Sequence, residues 1–145
     1  MVGLAASHRF DSIKANSPTD VWAVGAQGVV DGNSSTLIEH FNGTSWSIVP
    51  SPSPGNNANL TGVTTTNAAN NVWAVGGDTI PGTTTVQTLT ENWNGTAWSV
   101  VPSPDAGGTT TLLSGAATTP GAAIVQAVGF SGVTGTQNPF AIQNG

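Results

Sequence analysis

Short apolar runs separated by clusters of Gly, Pro, Ser, Thr and Asn fill this chain, and no window holds a helical period long enough to compete with strands. VWAVG, within DVWAVG at 20–25, is β-branched, aromatic and apolar throughout, and it ends in glycine. It returns as NVWAVG at 71–76 and, weakened, as IVQAVG at 124–129. FDSIKAN (10–16), LTGVTTT (60–66) and LLSGAATT (112–119) read as the strands before these runs. Turns rich in Asn, Pro and Ser lie between, with Pro18 suited to a second turn position and Asp20 and Asn71 read as turn formers. A third strand follows as TLIEHF (36–41) or TLTENW (88–93), and a fourth as TSWSIVP (44–50) or TAWSVVP (96–102). Between them, Asn42-Gly43 and Asn94-Gly95 are expected to supply two positive-φ positions of a tight hairpin turn.

The pattern is periodic. Trp22 and Trp73 are 51 residues apart, Val72 and Val125 are 53, and both Asn42–Asn94 and Trp46–Trp98 are 52. That period lies in the range of propeller repeats, and four antiparallel strands per unit make a β-propeller blade. The reading is all-β: one domain over 1–145, with three blades at about 8–50, 51–102 and 103–145. Blades stack face to face, which buries both faces of an inner strand and explains an unalternating VWAVG. Trp22, Trp73, Val24, Val75 and Val128 are therefore expected in the core. The third copy departs from the others, with Gln126 aligned to Trp22 and Trp73, Ala141 to Glu39 and Glu91, and Gln143 to Phe41 and Trp93. Residues 1–7 are expected to complete the third blade as its outer strand. Three blades fall short of the four to eight of a closed propeller, so a second copy is expected to give a six-bladed homodimer; a longer array or a filament is the competing outcome.

The motifs DVWAVG and NGTxWSxVPSP resemble the blade repeat of secreted propeller proteins from soil actinobacteria and Chloroflexi, similar in style to kelch and galactose-oxidase propellers and to propeller lectins. The likeness implies a propeller fold and points towards carbohydrate recognition. The first two repeats carry it in full and the third carries it in degenerate form.

Composition narrows the chemistry. Only 6% of the 145 residues are charged, with Lys+Arg 2 against Asp+Glu 7. Arg9 and Lys14 cannot neutralise the phosphates of a nucleic acid, nor can they hold an anionic membrane. No apolar run approaches a membrane span. With no cysteine there is no disulfide and no thiolate nucleophile. The Thr/Asn/Gly-rich surface leans towards an extracellular setting, with any leader absent from this sequence.

Little points to catalysis. Glu39 and Glu91 are the repeated carboxylates, but symmetry makes them counterparts, unlike the acid and nucleophile of a glycosidase. His8 and His40 have no metal-ligand spacing, and no nucleophile elbow is present, so no metal, cofactor or enzymatic activity is expected. Trp46 and Trp98 follow the hairpin turns on the outer strand. Either they pack on a neighbouring blade or they offer a ring face to a sugar, with Glu39, Glu91 and Trp93 as further candidate ligand residues. Two functions follow: a lectin-like binding module on a self-assembled ring, or a structural subunit whose blade edges are its working surface. Sequons at Asn33, Asn42, Asn59 and Asn94 match what composition alone would yield.

Overall fold

A computed structural model describes residues 7–28, 33–66, 70–119, 125–133 and 135–144. Among them there are eleven strands and no helix. Strands β1 (His8–Ser17), β2 (Asp20–Gly28), β3 (Ser34–Phe41) and β4 (Trp46–Ile48) pair in chain order as a four-stranded antiparallel meander. Strands β5 (Asn56–Thr65), β6 (Val72–Thr79), β7 (Val86–Trp93) and β8 (Trp98–Val100) repeat the arrangement. Strands β9 (Thr110–Thr118), β10 (Val125–Val133) and β11 (Thr136–Asn144) form a third meander. One parallel pairing, Val86 with Thr110, joins β7 to β9 and makes the last two meanders one mixed sheet.

A shared device sets each meander. The glycine ending VWAVG lies so close to the preceding strand that a Cβ on Gly25, Gly76 or Gly129 would stand 1.9 Å from the carbonyl oxygen of Arg9, Asn59 or Leu112. Register shifts mark the same places, between Phe10 and Ser12, Leu60 and Gly62, and Val128 and Gly129. Glycine is needed there because two backbones meet at a bulge.

The hairpins differ from expectation in one respect. Gly43 and Gly95 have φ of 92° and 96°, but among the described non-glycine residues only Asn57 has a positive φ. Asn42 and Asn94 contribute through their side chains. Asn42 Oδ1 accepts the amides of Thr44 (3.0 Å) and Ser45 (3.1 Å), and Asn94 Oδ1 those of Thr96 (2.9 Å) and Ala97 (3.0 Å). An Asx-type bond so replaces the second left-handed residue.

The linkers are anchored. Thr36 Oγ1 lies 2.7 Å from Ser51 Oγ and 2.9 Å from the Pro52 carbonyl, while Thr88 Oγ1 lies 2.8 Å from Ser103 Oγ and 3.3 Å from the Pro104 carbonyl. The Pro-Ser-Pro segment is thereby tied to the third strand of its own meander.

The third copy aligns one residue away from the sequence expectation. Ala23 pairs with Glu39 and Ala74 with Glu91, but Ala127 pairs with Ile142. Val21 pairs with Phe41 and Val72 with Trp93, while Val125 pairs with Asn144. Ile142 is thus the counterpart of the glutamates and Asn144 that of Phe41 and Trp93, in place of Ala141 and Gln143. Gln126 does stand where Trp22 and Trp73 stand. The proposed completing strand lies mostly in residues 1–6, outside the described residues, as does Gly145. Ser7 belongs to the first meander, its carbonyl accepting the Gly28 amide at 2.9 Å.

Consecutive meanders stack face to face. Trp22, Val24 and Ile38 of the first meet Ala58, Leu60, Val63, Val72, Ala74, Leu89 and Trp98 of the second in one cluster. Val75 of the second meets Leu113, Ala127 and Ile142 of the third in another. The first strands run beside one another: Ser12 Oγ accepts the Val63 amide at 3.3 Å, and Thr61 Oγ1 and Thr118 Oγ1 donate to the carbonyls of Leu113 and Thr65. Trp22, Trp73, Val24 and Val75 are core residues as expected. Val128 is not. It is 58% exposed, because nothing among the described residues covers the far face of the third meander.

Candidate functional site

Strand pairing divides each meander into two faces, and both faces recur along the chain. The front face carries Phe10, Ile13, Glu39, Phe41 and Trp46 in the first meander. Their register counterparts in the second are Leu60, Val63, Glu91, Trp93 and Trp98. Leu60, Val63, Glu91 and Trp98 are buried under the first meander, whereas Phe10 is 46%, Ile13 64% and Trp46 44% exposed. Around Glu39 and Trp46 the open front face forms a hollow of about 500 Å³, walled by Phe10, Ser12, Ile13 and Ala23.

The back face carries Trp22, Val24, Ile38 and His40 in the first meander, and Trp73, Val75, Thr90 and Asn92 in the second. In the third the same places hold Gln126, Val128, Ala141 and Gln143, all exposed. Two shallow hollows of about 390 and 340 Å³ lie there, the first walled by Gln126, Val128, Ala141 and Gln143 and the second by Gly115, Ala117, Gln126 and Val128.

The candidate ligand residues therefore separate. Trp46 and Glu39 share one open surface. Trp98 and Glu91 are closed to any ligand, and Trp93 is half-buried against the same cluster. Trp98 meets Trp22 edge to face at 5.5 Å between ring centroids, a favourable aromatic geometry. Repeated equivalent sugar sites built on Trp46 and Trp98 are thus excluded.

Burial has a consequence for Glu91. Among the described residues neither of its carboxyl oxygens has a hydrogen-bond partner, and the side chain is fully buried. Burial pushes its pKa up to about 8, with the Asp78 charge adding to the shift. Burial also pushes the Asp78 carboxyl up. Glu91 has no exposed surface, while Asp78, almost fully buried, lines a hollow of about 210 Å³ with Gln87 and Asp105. Among the described residues, no three His, Asp or Glu side chains are grouped to hold a metal ion.

Asp20 proves to be more than a turn former. Its carboxylate accepts from Asn16 Nδ2 (2.9 Å) and Trp22 Nε1 (3.0 Å), and its Oδ1 lies 2.8 Å from His40 Nε2. His40 stacks on Trp22 at 4.2 Å, closing the cluster. Burial alone would raise the Asp20 pKa, but the bonds from Asn16, His40 and Trp22 hold it below the ordinary carboxylate value. The second meander uses an uncharged version, Asn92 Nδ2 donating to Asn71 Oδ1 at 2.9 Å. The pairing of Trp22 with His40 across β2 and β3 was the available signal for this contact. Replacing Asp20 with alanine leaves these donors unmatched and is expected to cost about 1–3 kcal/mol in urea unfolding at neutral pH. With the folded pKa depressed, this stability is present above the unfolded pKa, about 3.9, and is lost as pH falls through the folded value.

Comparison with protein-family models, with curated proteins and with solved structures returns no match.

Proposed function

We propose that this chain is a non-enzymatic, self-assembling β-propeller subunit: three blades that a second copy completes to a six-bladed ring. One observation carries the reading. The front face left open on the first meander matches the face that the second meander buries, and the open back face of the third matches the faces buried by the other two. Front-to-back packing already occurs twice within the chain, so a third such contact between copies repeats a known geometry. Trp46 and Ile13 project from one face, while Gly115, Ala117 and Ala141 leave hollows in the other. Such heterologous contacts close into a ring when the rotation allows and otherwise extend as fibres. The sparse charge and abundant Thr, Asn and Gly fit an extracellular scaffold, and neither feature fits nucleic acid or an anionic membrane as partner.

Sedimentation equilibrium tests this directly. The expected mass is twice the 14.5 kDa of the chain. A single-chain mass up to millimolar concentration would sink the proposal, and long polymers would retain the contact while excluding the ring.

A second reading has one observation in its favour. The exposed Trp46 ring beside Glu39 offers an apolar plane and an acceptor, the pairing that suits a sugar. Saturable quenching of Trp46 fluorescence by a glycan, lost in Trp46→Phe, would support lectin-like recognition at this face.

A further inference from the structure

We propose that the second meander binds a divalent cation of the calcium class in the hollow beside its Pro-Ser-Pro linker, with the carboxylates of Asp78 and Asp105 as the charged ligands. The site is independent of the self-assembly proposed above. Asp78 lies near the end of β6, opposite Gln87 on β7, and both line this hollow of about 210 Å³ together with Ser103 and Asp105 of the linker. Asp78 is 1% exposed, yet among the described residues neither of its carboxyl oxygens has a hydrogen-bond partner. The Gln87 side chain and the Gly55 amide approach it without completing a bond of ordinary geometry. A buried carboxylate is normally hydrogen-bonded, paired with a cation or bound to a metal. Neither basic side chain of the chain serves here: Arg9 is engaged by Asp11 at 2.8 Å, and Lys14 lines a different hollow.

The other meanders show that the fold does not need these acids. Where Asp78 faces Gln87, the first meander has Gln27 facing Ser35 and the third has Ser131 facing Asn138. Asp105 accepts the Thr88 amide through Oδ1 at 2.8 Å, and Ser53 Oγ accepts the Thr36 amide in the same way at 3.0 Å. A hydroxyl is therefore enough to tether the linker. In the second meander a carboxylate replaces it, next to a second carboxylate and a side-chain amide. Those two carboxylates, the Gln87 carbonyl and water make an all-oxygen set, the kind that calcium takes. The chain has no cysteine, and among the described residues no third acidic or His side chain joins the pair, so a zinc-type set is absent from it. With few protein ligands the site belongs to the weak class, with a dissociation constant of roughly 0.1–1 mM. A bound ion would tie the linker that leads into β9 directly to β6.

Isothermal titration calorimetry of the chelator-treated full chain with calcium chloride tests the site. One saturable site per chain is expected, in that range of affinity. Asp78→Asn and Asp105→Asn keep the side-chain shape and remove one charge each, and each is expected to weaken binding by about tenfold or more, because ligand charge sets the affinity of such sites. Asp105→Asn is the decisive variant if Asp78→Asn fails to fold, since Asp105 is exposed and asparagine keeps an acceptor for the Thr88 amide. No saturable heat up to about 10 mM calcium chloride would overturn the proposal. Wild-type affinity in Asp105→Asn would overturn it too, by placing the ion elsewhere.

Discussion

Truncating Trp98 to alanine is expected to destabilise the chain by about 3–5 kcal/mol, the range for emptying a buried aromatic site, whereas truncating Trp46 should cost under about 1 kcal/mol. The two residues occupy one place in the repeat, paired respectively with Trp93 and Phe41 across the same hairpin. Trp98 is 5% exposed and wedged against Trp22, while Trp46 is 44% exposed and its ring lies 5.5 Å from that of Phe41 between centroids. The order should reverse for association. A large aromatic at the centre of a contact commonly contributes 2 kcal/mol or more, so Trp46→Ala should weaken docking roughly thirtyfold. Urea unfolding and sedimentation read the two effects separately. Equal loss of stability in both variants would show that Trp46 is already covered within one chain.

Glu91 should impose a pH dependence on folding itself. Its pKa lies near 8 in the folded chain against an ordinary 4.5, so the native state holds a proton that the unfolded chain releases. The stability it confers is fully present below the unfolded value and is lost as pH rises through the folded one. The steepest slope is about 1.4 kcal/mol per pH unit. Glu91→Gln keeps the volume and cannot ionise. It is expected to match the wild type near pH 4 and exceed its stability by on the order of 3 kcal/mol at pH 8. Urea midpoints at those two pH values check this, and a variant that retains the wild-type slope would refute it. Glu39→Gln, measured as a dilute single chain, should leave that slope in place, which separates the buried carboxyl from its open counterpart.

The strands were legible because their punctuation is strong. Asn-Gly, Pro-Ser-Pro and the glycine after VWAV each mark a physical need: a left-handed turn, a tethered linker, a close backbone approach. All three first strands and all three second strands lie where the apolar runs placed them. What escaped was face and register. VWAVG is apolar on both sides, so alternation could not say which side met which neighbour. In the third copy the glutamate and aromatic landmarks are gone, and Ala141 and Gln143 aligned one place away from Ile142 and Asn144. The fates of Trp46 and Trp98 lay beyond local sequence altogether, since near-identical hairpins differ only in whether a meander covers them. Val128 was misplaced for the same reason.

The hydroxyls of Thr36 and Thr88 have a further consequence. By gripping the Pro-Ser-Pro segment at one point, each fixes the length of free chain before the next meander starts. An array with a uniform step can close only at a set number of units. Thr36→Val and Thr88→Val would keep the shape of the strand while slackening that hold, and on the docking proposed above would shift the balance between closed rings and open polymers.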